Sequence, residues 1–267
     1  MLVAVRRTRT LFVVLFCLTA CLDAHRAFAQ TDEIQVYDGG LAAPGVFNLT
    51  WHNNFTPSGL ATPAFKGAVV ADRSWNGVPE WAYGVTPWFE AGLYMPLYSR
   101  DEHSGFGLDG FKLRTLFAVP HADDRRFFYG ANFEFSVNAR RWDQTRFTSE
   151  IRPIVGWHVR PFDIIVNPIL DTAYDGFRNL EFVPAARVAY NASPAWAVAV
   201  EEYDDFGPLH GFATPGNQVH QLYAVVDRNG GPFDVEAGIG FGLTHASDGV
   251  TLKLILSRDL NRKTVKR

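Results

Sequence analysis

One segment of the sequence holds residue types that could perform covalent chemistry. His245-Ala246-Ser247-Asp248-Gly249 places a serine hydroxyl two residues after an imidazole, and ester cleavage requires a nucleophilic serine beside a histidine base. Asp-Gly is also a common pair in tight turns, and the sequence offers no residue that would orient the histidine. We therefore predict no catalytic residue, and keep a lipid esterase or deacylase using His245 and Ser247 as the alternative.

Other residues that could hold a metal, a cofactor or a nucleic acid do not form a pattern. The remaining histidines are scattered without metal-ligand spacing, and both cysteines, Cys17 and Cys21, lie close to the N-terminus. The sequence contains no glycine-rich phosphate loop. The near balance of 25 basic and 28 acidic residues argues against a nucleic-acid-binding surface, which would be basic. We expect no metal, no cofactor and no nucleic-acid partner.

The elements that would position any site are strands with two unlike faces. In residues 127–138, Phe127, Tyr129, Phe133 and Phe135 alternate with residues that are mostly small or polar, and a period of two is typical of a strand. The pattern recurs to the C-terminus in about twelve segments, each near the ~9–11 residues that span a bilayer when tilted.

The connections between these segments alternate in length. Short links rich in turn-forming residues fall near 86–87, 121–124, 160–161, 192–194 and 229–231, and longer links fall near 55–79, 98–110, 139–144, 171–178 and 203–216. Only the link at 246–249 breaks the alternation by being short. Short turns at one end and long loops at the other are typical of outer-membrane barrels. We predict an all-β fold, a transmembrane antiparallel up-and-down β-barrel of about twelve strands.

Aromatic residues support this prediction. Many lie within a few residues of the short turns, where they would form a girdle at the membrane surface: Trp88, Phe89, Phe127, Phe128, Trp157, Phe162, Tyr190, Trp196 and Phe233.

If the apolar rows face lipid, the charged residues between them face the lumen. This lumen set is Glu90, Lys112, Arg114, Glu134, Glu150, Arg152, Glu181, Arg187, Glu201, Glu236 and Lys253. Buried charges require partners, so we expect Lys112 or Arg114 to pair with Glu134, and Arg152 to pair with Glu150 or Glu134. The set could line a water-filled pore that guides solutes or hold a closed barrel together.

The first residues read as an export signal. Arg6, Arg7 and Arg9 precede an apolar run from Leu11 to Leu22, and Ala27-Phe28-Ala29 is a small-x-small cleavage site. This pattern predicts a signal peptide at 1–29 and a barrel domain at 30–267. Leu18-Thr19-Ala20-Cys21 leaves a second possibility, since it resembles a lipobox that would lipidate Cys21.

Residues 79–96 resemble a hairpin of bacterial outer-membrane proteins loosely linked to phenol meta-cleavage pathways, with Glu80, Tyr83 and Glu90 as the matching positions. The resemblance implies an outer-membrane barrel suspected of transporting small, including aromatic, compounds, and it supplies no catalytic residue. The segment at His245 in turn resembles the His-x-Ser-Asn-Gly pattern of outer-membrane phospholipases.

Three functions stay open: a channel or binding barrel for small solutes, a lipid-modifying enzyme, and a non-conducting structural barrel. We favour the first, with no enzymatic activity, in the outer membrane of a Gram-negative bacterium. The expected partners are outer-membrane lipid, a small solute and the barrel assembly machinery.

Overall fold

A computed structural model describes residues 33–261, which close into a barrel of twelve antiparallel strands. The first six strands are β1 (Phe47–Ser58), β2 (Ser74–Thr86), β3 (Phe89–Asp101), β4 (Gly105–Ala118), β5 (Phe127–Asn138) and β6 (Phe147–Val159). Strand β7 has two parts, Phe162–Asn167 and Leu170–Thr172, and β8 also has two, Glu181–Phe182 and Ala185–Ser193. The last four are β9 (Trp196–Asp205), β10 (Val219–Arg228), β11 (Asp234–Gly242) and β12 (Val250–Asp259).

Each strand pairs with its neighbours in the chain, and β1 closes the barrel by pairing with β12 over Asn48↔Asp259 to Ser58↔Val250. Closure leaves no free sheet edge among residues 33–261, as a backbone in lipid requires. Among the described residues, no helix is long and apolar enough to cross a membrane. The predicted fold is confirmed.

The alternation sorts residues between lipid and lumen as predicted. Phe133 and Phe135 are 42% and 38% exposed on the outside, whereas the alternate residues Asn132 and Glu134 are 0% and 3% exposed. Small inward residues make room for large inward rings: a Cβ on Gly156 would lie 2.0 Å from the Phe128 ring. Phe128 is therefore wrongly placed in the predicted girdle, because it belongs to the inward row and is fully buried. Most of the other girdle residues, including Trp88 and Trp196, are exposed.

The two ends of the barrel differ as expected, with corrections to two links. The short-turn end holds the links 87–88, 119–126, 160–161, 194–195 and 229–233, and the long-loop end holds the other links between strands. The link predicted at 98–110 is instead a hairpin, since β3 and β4 pair up to Asp101↔Gly105. Its glycine- and aspartate-rich composition concealed the strands. The link predicted at 55–79 shrinks to residues 59–73 because β1 and β2 extend past the apolar rows.

Candidate functional site

The lumen contains an extended stretch of chain that precedes the first strand. We call residues 33–43 the inner segment. Its residues Ile34, Val36 and Tyr37 are 5–6% exposed and pack against inward residues of the wall such as Phe128, Ala189 and Tyr223. The segment enters the lumen at the short-turn end, where Gly45 N donates to Gly84 O at 2.8 Å. The sequence interpretation missed this segment, which has no alternating pattern to signal it.

Tyr37 anchors the inner segment to the wall. The side-chain amide of Asn167 accepts from Tyr37 N at 2.7 Å and donates to Tyr37 O at 3.0 Å. The Tyr37 hydroxyl is hydrogen-bonded to the hydroxyl of Tyr94. The guanidinium groups of Arg152 and Arg114 lie 4.4 and 5.6 Å from the ring centroid, close enough for cation–π attraction.

The charged residues predicted for the lumen lie on its wall, and all except Glu181 belong to three clusters. The first surrounds Arg114, whose Nη2 contacts Glu90 and lies 2.6 Å from Glu80 Oε1. His52 Nε2 lies 3.4 Å from Glu80 Oε2. Arg114 therefore pairs with the two glutamates of the hairpin at 79–96, and not with Glu134. The predicted lumen set omitted His52 and Glu80, although Glu80 is a matching position of the hairpin resemblance and has inward parity in the sequence.

The second cluster contains the pairs expected from strand parity. Lys112 Nζ lies 3.3 Å from Glu134 Oε2, and Arg152 binds Glu150 through Nε at 2.6 Å and Nη2 at 3.0 Å. Arg152 also donates to Gln35 O of the inner segment at 2.8 Å. One arginine thus holds both the wall and the inner segment.

The third cluster joins five strands, β8 to β12. Arg187 contacts Glu201 and Asp227 and lies 3.4 Å from Glu236. Lys253 contacts Glu201, lies 2.6 Å from Glu236, and donates to Ile34 O at 3.2 Å. The remaining member of the predicted lumen set, Glu181, lies on β8 beside Asp171 of β7.

The inner segment separates two cavities. The loop-end cavity has a volume of about 300 Å³ and is lined by residues of the long loops, such as Phe65 and Asp248, and by Glu33 and Ile34. The turn-end cavity has about 400 Å³ and is lined by Tyr37 to Ala43, Glu90 and Arg114. Gln35 is the lining residue that the two cavities share. The inner segment is therefore the barrier between the two ends of the lumen.

The geometry at His245 and Ser247 does not assemble a nucleophile and a base. Ser247 is 5% exposed, and its Oγ donates to His220 O at 3.0 Å, accepts from His220 N at 2.9 Å and contacts Thr244 Oγ1 at 2.8 Å. Within residues 33–261, none of the hydrogen bonds of Ser247 goes to the imidazole of His245. In the same loop, burial raises the pKa of Asp248, and a hydrogen bond from Leu60 N lowers it by less.

Near the loop end of β9 and β10, strand pairing brings together three potential metal ligands that the sequence did not suggest. Ligand atoms of Glu202, Asp204 and His220 lie within 4.8 Å of one another, and His220 Nδ1 is 2.6 Å from Asp204 Oδ1. Asp204 and His220 are register partners on β9 and β10, which a separation of sixteen residues in the chain conceals. Because His220 is already bonded to Asp204 and to Gln218, we assign no metal there.

Comparison with known proteins supports the fold. No family model and no curated protein matches the chain. The crystal structure of an outer-membrane channel from Pseudomonas putida F1 is 13% identical, with a TM-score of 0.57 over 85% of this chain and 100% of that chain. A monoaromatic hydrocarbon channel is 7% identical, with a TM-score of 0.47 over 82% of this chain and 90% of that one. The translocator domain of a Neisseria meningitidis autotransporter is 10% identical, with a TM-score of 0.46 over the same shares.

The similarity to the Pseudomonas putida F1 channel is a similarity of fold. The apolar outer surface of the barrel also indicates a membrane location, because exposed rings and branched side chains such as Phe133, Trp157 and Val200 would be unfavourable in water. The chain thus has the fold of an outer-membrane β-barrel, as the sequence predicted, and its apolar belt fits the outer membrane of a Gram-negative bacterium.

Proposed function

We propose that the protein is an outer-membrane barrel that admits a small solute at its long-loop end and passes it through the lumen when the inner segment moves. The observation that carries this proposal is the pair of cavities that meet at Gln35. Each reaches the barrier from one end of the barrel, so displacing one stretch of chain would join them. The channel from Pseudomonas putida F1 supports this reading by its similar fold.

The contacts of the inner segment are suited to a barrier that can be displaced. It is held by side-chain anchors such as Asn167, Arg152 and Lys253, and each strand pairing of the described barrel joins two barrel strands. Moving it would therefore break a limited number of hydrogen bonds while leaving the closed barrel intact. The charges of the lumen set would then line the opened path, as the sequence suggested.

A solute barrel accounts for the structure better than a lipid esterase does. The Ser247 hydroxyl bonds to the His220 backbone, which favours a structural role in the loop. The proposed partners remain outer-membrane lipid around the belt, the barrel assembly machinery during insertion, and a small solute.

Planar-bilayer recording of the refolded mature barrel tests the proposal. We expect stepwise currents with a low-conductance and a high-conductance state. In the low-conductance state the inner segment restricts the path through the lumen, and in the high-conductance state it is displaced from that path. A variant lacking residues 30–40 should stay in the high-conductance state. A barrel that folds and inserts but carries no current in either form would support the non-conducting structural alternative.

A further inference from the structure

We propose that the loop-end cavity is a binding subsite for an organic cation, a solute that carries an ammonium or guanidinium group on an apolar body. This inference rests on the proposed solute function and names the class of solute. The cavity is lined by nine acidic and two basic residues. The acidic ones are Glu33, Glu134, Asp143, Glu150, Asp171, Glu181, Asp204, Asp205 and Asp248, and the basic ones are Lys112 and Arg152.

Three of these carboxylates form a row across neighbouring strands. Glu150 on β6 is the register partner of Asp171 on β7, which is the register partner of Glu181 on β8. Like charges placed directly opposite one another destabilise a sheet. Arg152 binds Glu150, but within residues 33–261 no lysine or arginine nitrogen forms a salt bridge with Asp171. A cation bound beside the row would relieve this repulsion.

A fourth carboxylate faces the same cavity from the inner segment. Glu33 is 3% exposed and lines the cavity, yet neither of its carboxylate oxygens has a hydrogen-bond partner. Its nearest cation, Arg152 Nη1, lies 3.7 Å away and already donates to Gln35 O. Leaving a buried carboxylate without hydrogen bonds is costly, so a donor group in the cavity would stabilise it.

The geometry favours an organic cation over a metal ion. The row does not bring three ligand oxygens within 4.8 Å of one another, a spacing found in the described chain at Glu202, Asp204 and His220. The cavity has about 300 Å³, within the range of small-molecule sites. Apolar side chains also line it, among them Ile34, Phe65 and Ile169. Acidic groups beside apolar surface suit an ammonium group attached to a hydrocarbon.

Calorimetric binding to the refolded native barrel in detergent tests the inference with three probes of similar shape. These are 2-phenylethylammonium, the neutral 2-phenylethanol and the anionic 3-phenylpropanoate. We expect the cation to bind at least about tenfold more tightly than the neutral probe, since several carboxylates act on it at short range. Equal binding of the cation and the neutral probe, or binding of Ca²⁺ with none of the ammonium probe, would overturn the inference.

A charge-matched pair of variants assigns the binding to the row. Asp171→Asn with Glu181→Gln should weaken binding of the ammonium probe at least about tenfold. Glu202→Gln with Asp234→Asn removes the same charge from residues outside the cavity lining and should leave binding unchanged. Equal affinity of the two double variants would overturn the assignment. If the row variant fails to fold, the three-probe comparison on the native barrel decides.

The binding measurement is independent of passage through the lumen. A barrel that binds the ammonium probe and conducts no current would refute the proposed channel and leave the subsite standing. A barrel that conducts but does not distinguish the probes would refute the subsite alone.

Discussion

Replacing Tyr37 with alanine should release the inner segment and open the lumen. The substitution removes the hydroxyl contact with Tyr94 and the ring between Arg152 and Arg114. It keeps the two hydrogen bonds of the Tyr37 backbone with Asn167, because these use the main chain. The change therefore weakens the anchor without altering the strands of the barrel.

The magnitude follows from these contacts. Burial of the ring contributes about 2–3 kcal/mol, the two cation–π contacts roughly 0.5–1 kcal/mol each, and the hydroxyl hydrogen bond about 1 kcal/mol. Together they give about 4–6 kcal/mol, which corresponds to a shift of roughly 10³ to 10⁴ in the equilibrium between the held and the displaced segment. Tyr37→Phe loses only the hydroxyl contact, so the same equilibrium should shift by about fivefold.

Single-channel recording in planar bilayers measures this shift as the fraction of time spent in the high-conductance state. We expect this fraction to be lowest for the native barrel, higher for Tyr37→Phe and highest for Tyr37→Ala. Tyr190→Ala is the matched control, because Tyr190 is 44% exposed on the outer surface and does not touch the inner segment. If Tyr37→Ala folds, as shown by heat-modifiable migration, and conducts like the native barrel, the inner segment is not the barrier.

Three further predictions concern the membrane belt, the lumen charges and the N-terminus. Val200→Arg, at mid-strand and 52% exposed, should lower the free energy of unfolding by about 2–4 kcal/mol, and Val85→Arg near a short turn by about 0–1 kcal/mol; equal losses in urea titrations would show that Val200 does not face the bilayer core. Arg187→Met leaves Asp227 without its contact and should cost about 3–5 kcal/mol, whereas combining it with Asp227→Asn should restore part of the loss; a double variant no more stable than the single one would contradict the pairing. Mass spectrometry of the exported protein should find Gln30 at its N-terminus, and a lipidated Cys21 would contradict cleavage after Ala29.

Much of the fold could be predicted because each strand has its own two-residue period. The alternation at Phe133, Glu134 and Phe135 assigns the faces without any knowledge of neighbouring strands. Parity with strand order also predicted that Lys112 or Arg114 would pair with Glu134, and Arg152 with Glu150 or Glu134. The structure shows Lys112 with Glu134 and Arg152 with Glu150.

The remaining parts of the site depend on contacts that leave no local pattern. The path of the inner segment is set by side chains far along the chain, such as Asn167, which lies 130 residues from Tyr37. The row formed by Glu150, Asp171 and Glu181 requires the register of three strands. Asp171 was assigned to the link at 171–178, whereas the strand resumes after Pro168-Ile169 and continues over Leu170–Thr172.

Uptake by liposomes tests the central claim most directly. Liposomes that contain the refolded mature barrel are mixed with neutral and cationic solutes of increasing size, and osmotic swelling reports entry. We predict swelling that exceeds that of protein-free liposomes, that falls with solute size, and that is faster for Tyr37→Ala than for the native barrel. The native barrel and Tyr37→Ala must both be correctly inserted. If neither the liposomes containing the native barrel nor those containing Tyr37→Ala then swell faster than protein-free liposomes, the result would contradict a solute-conducting lumen.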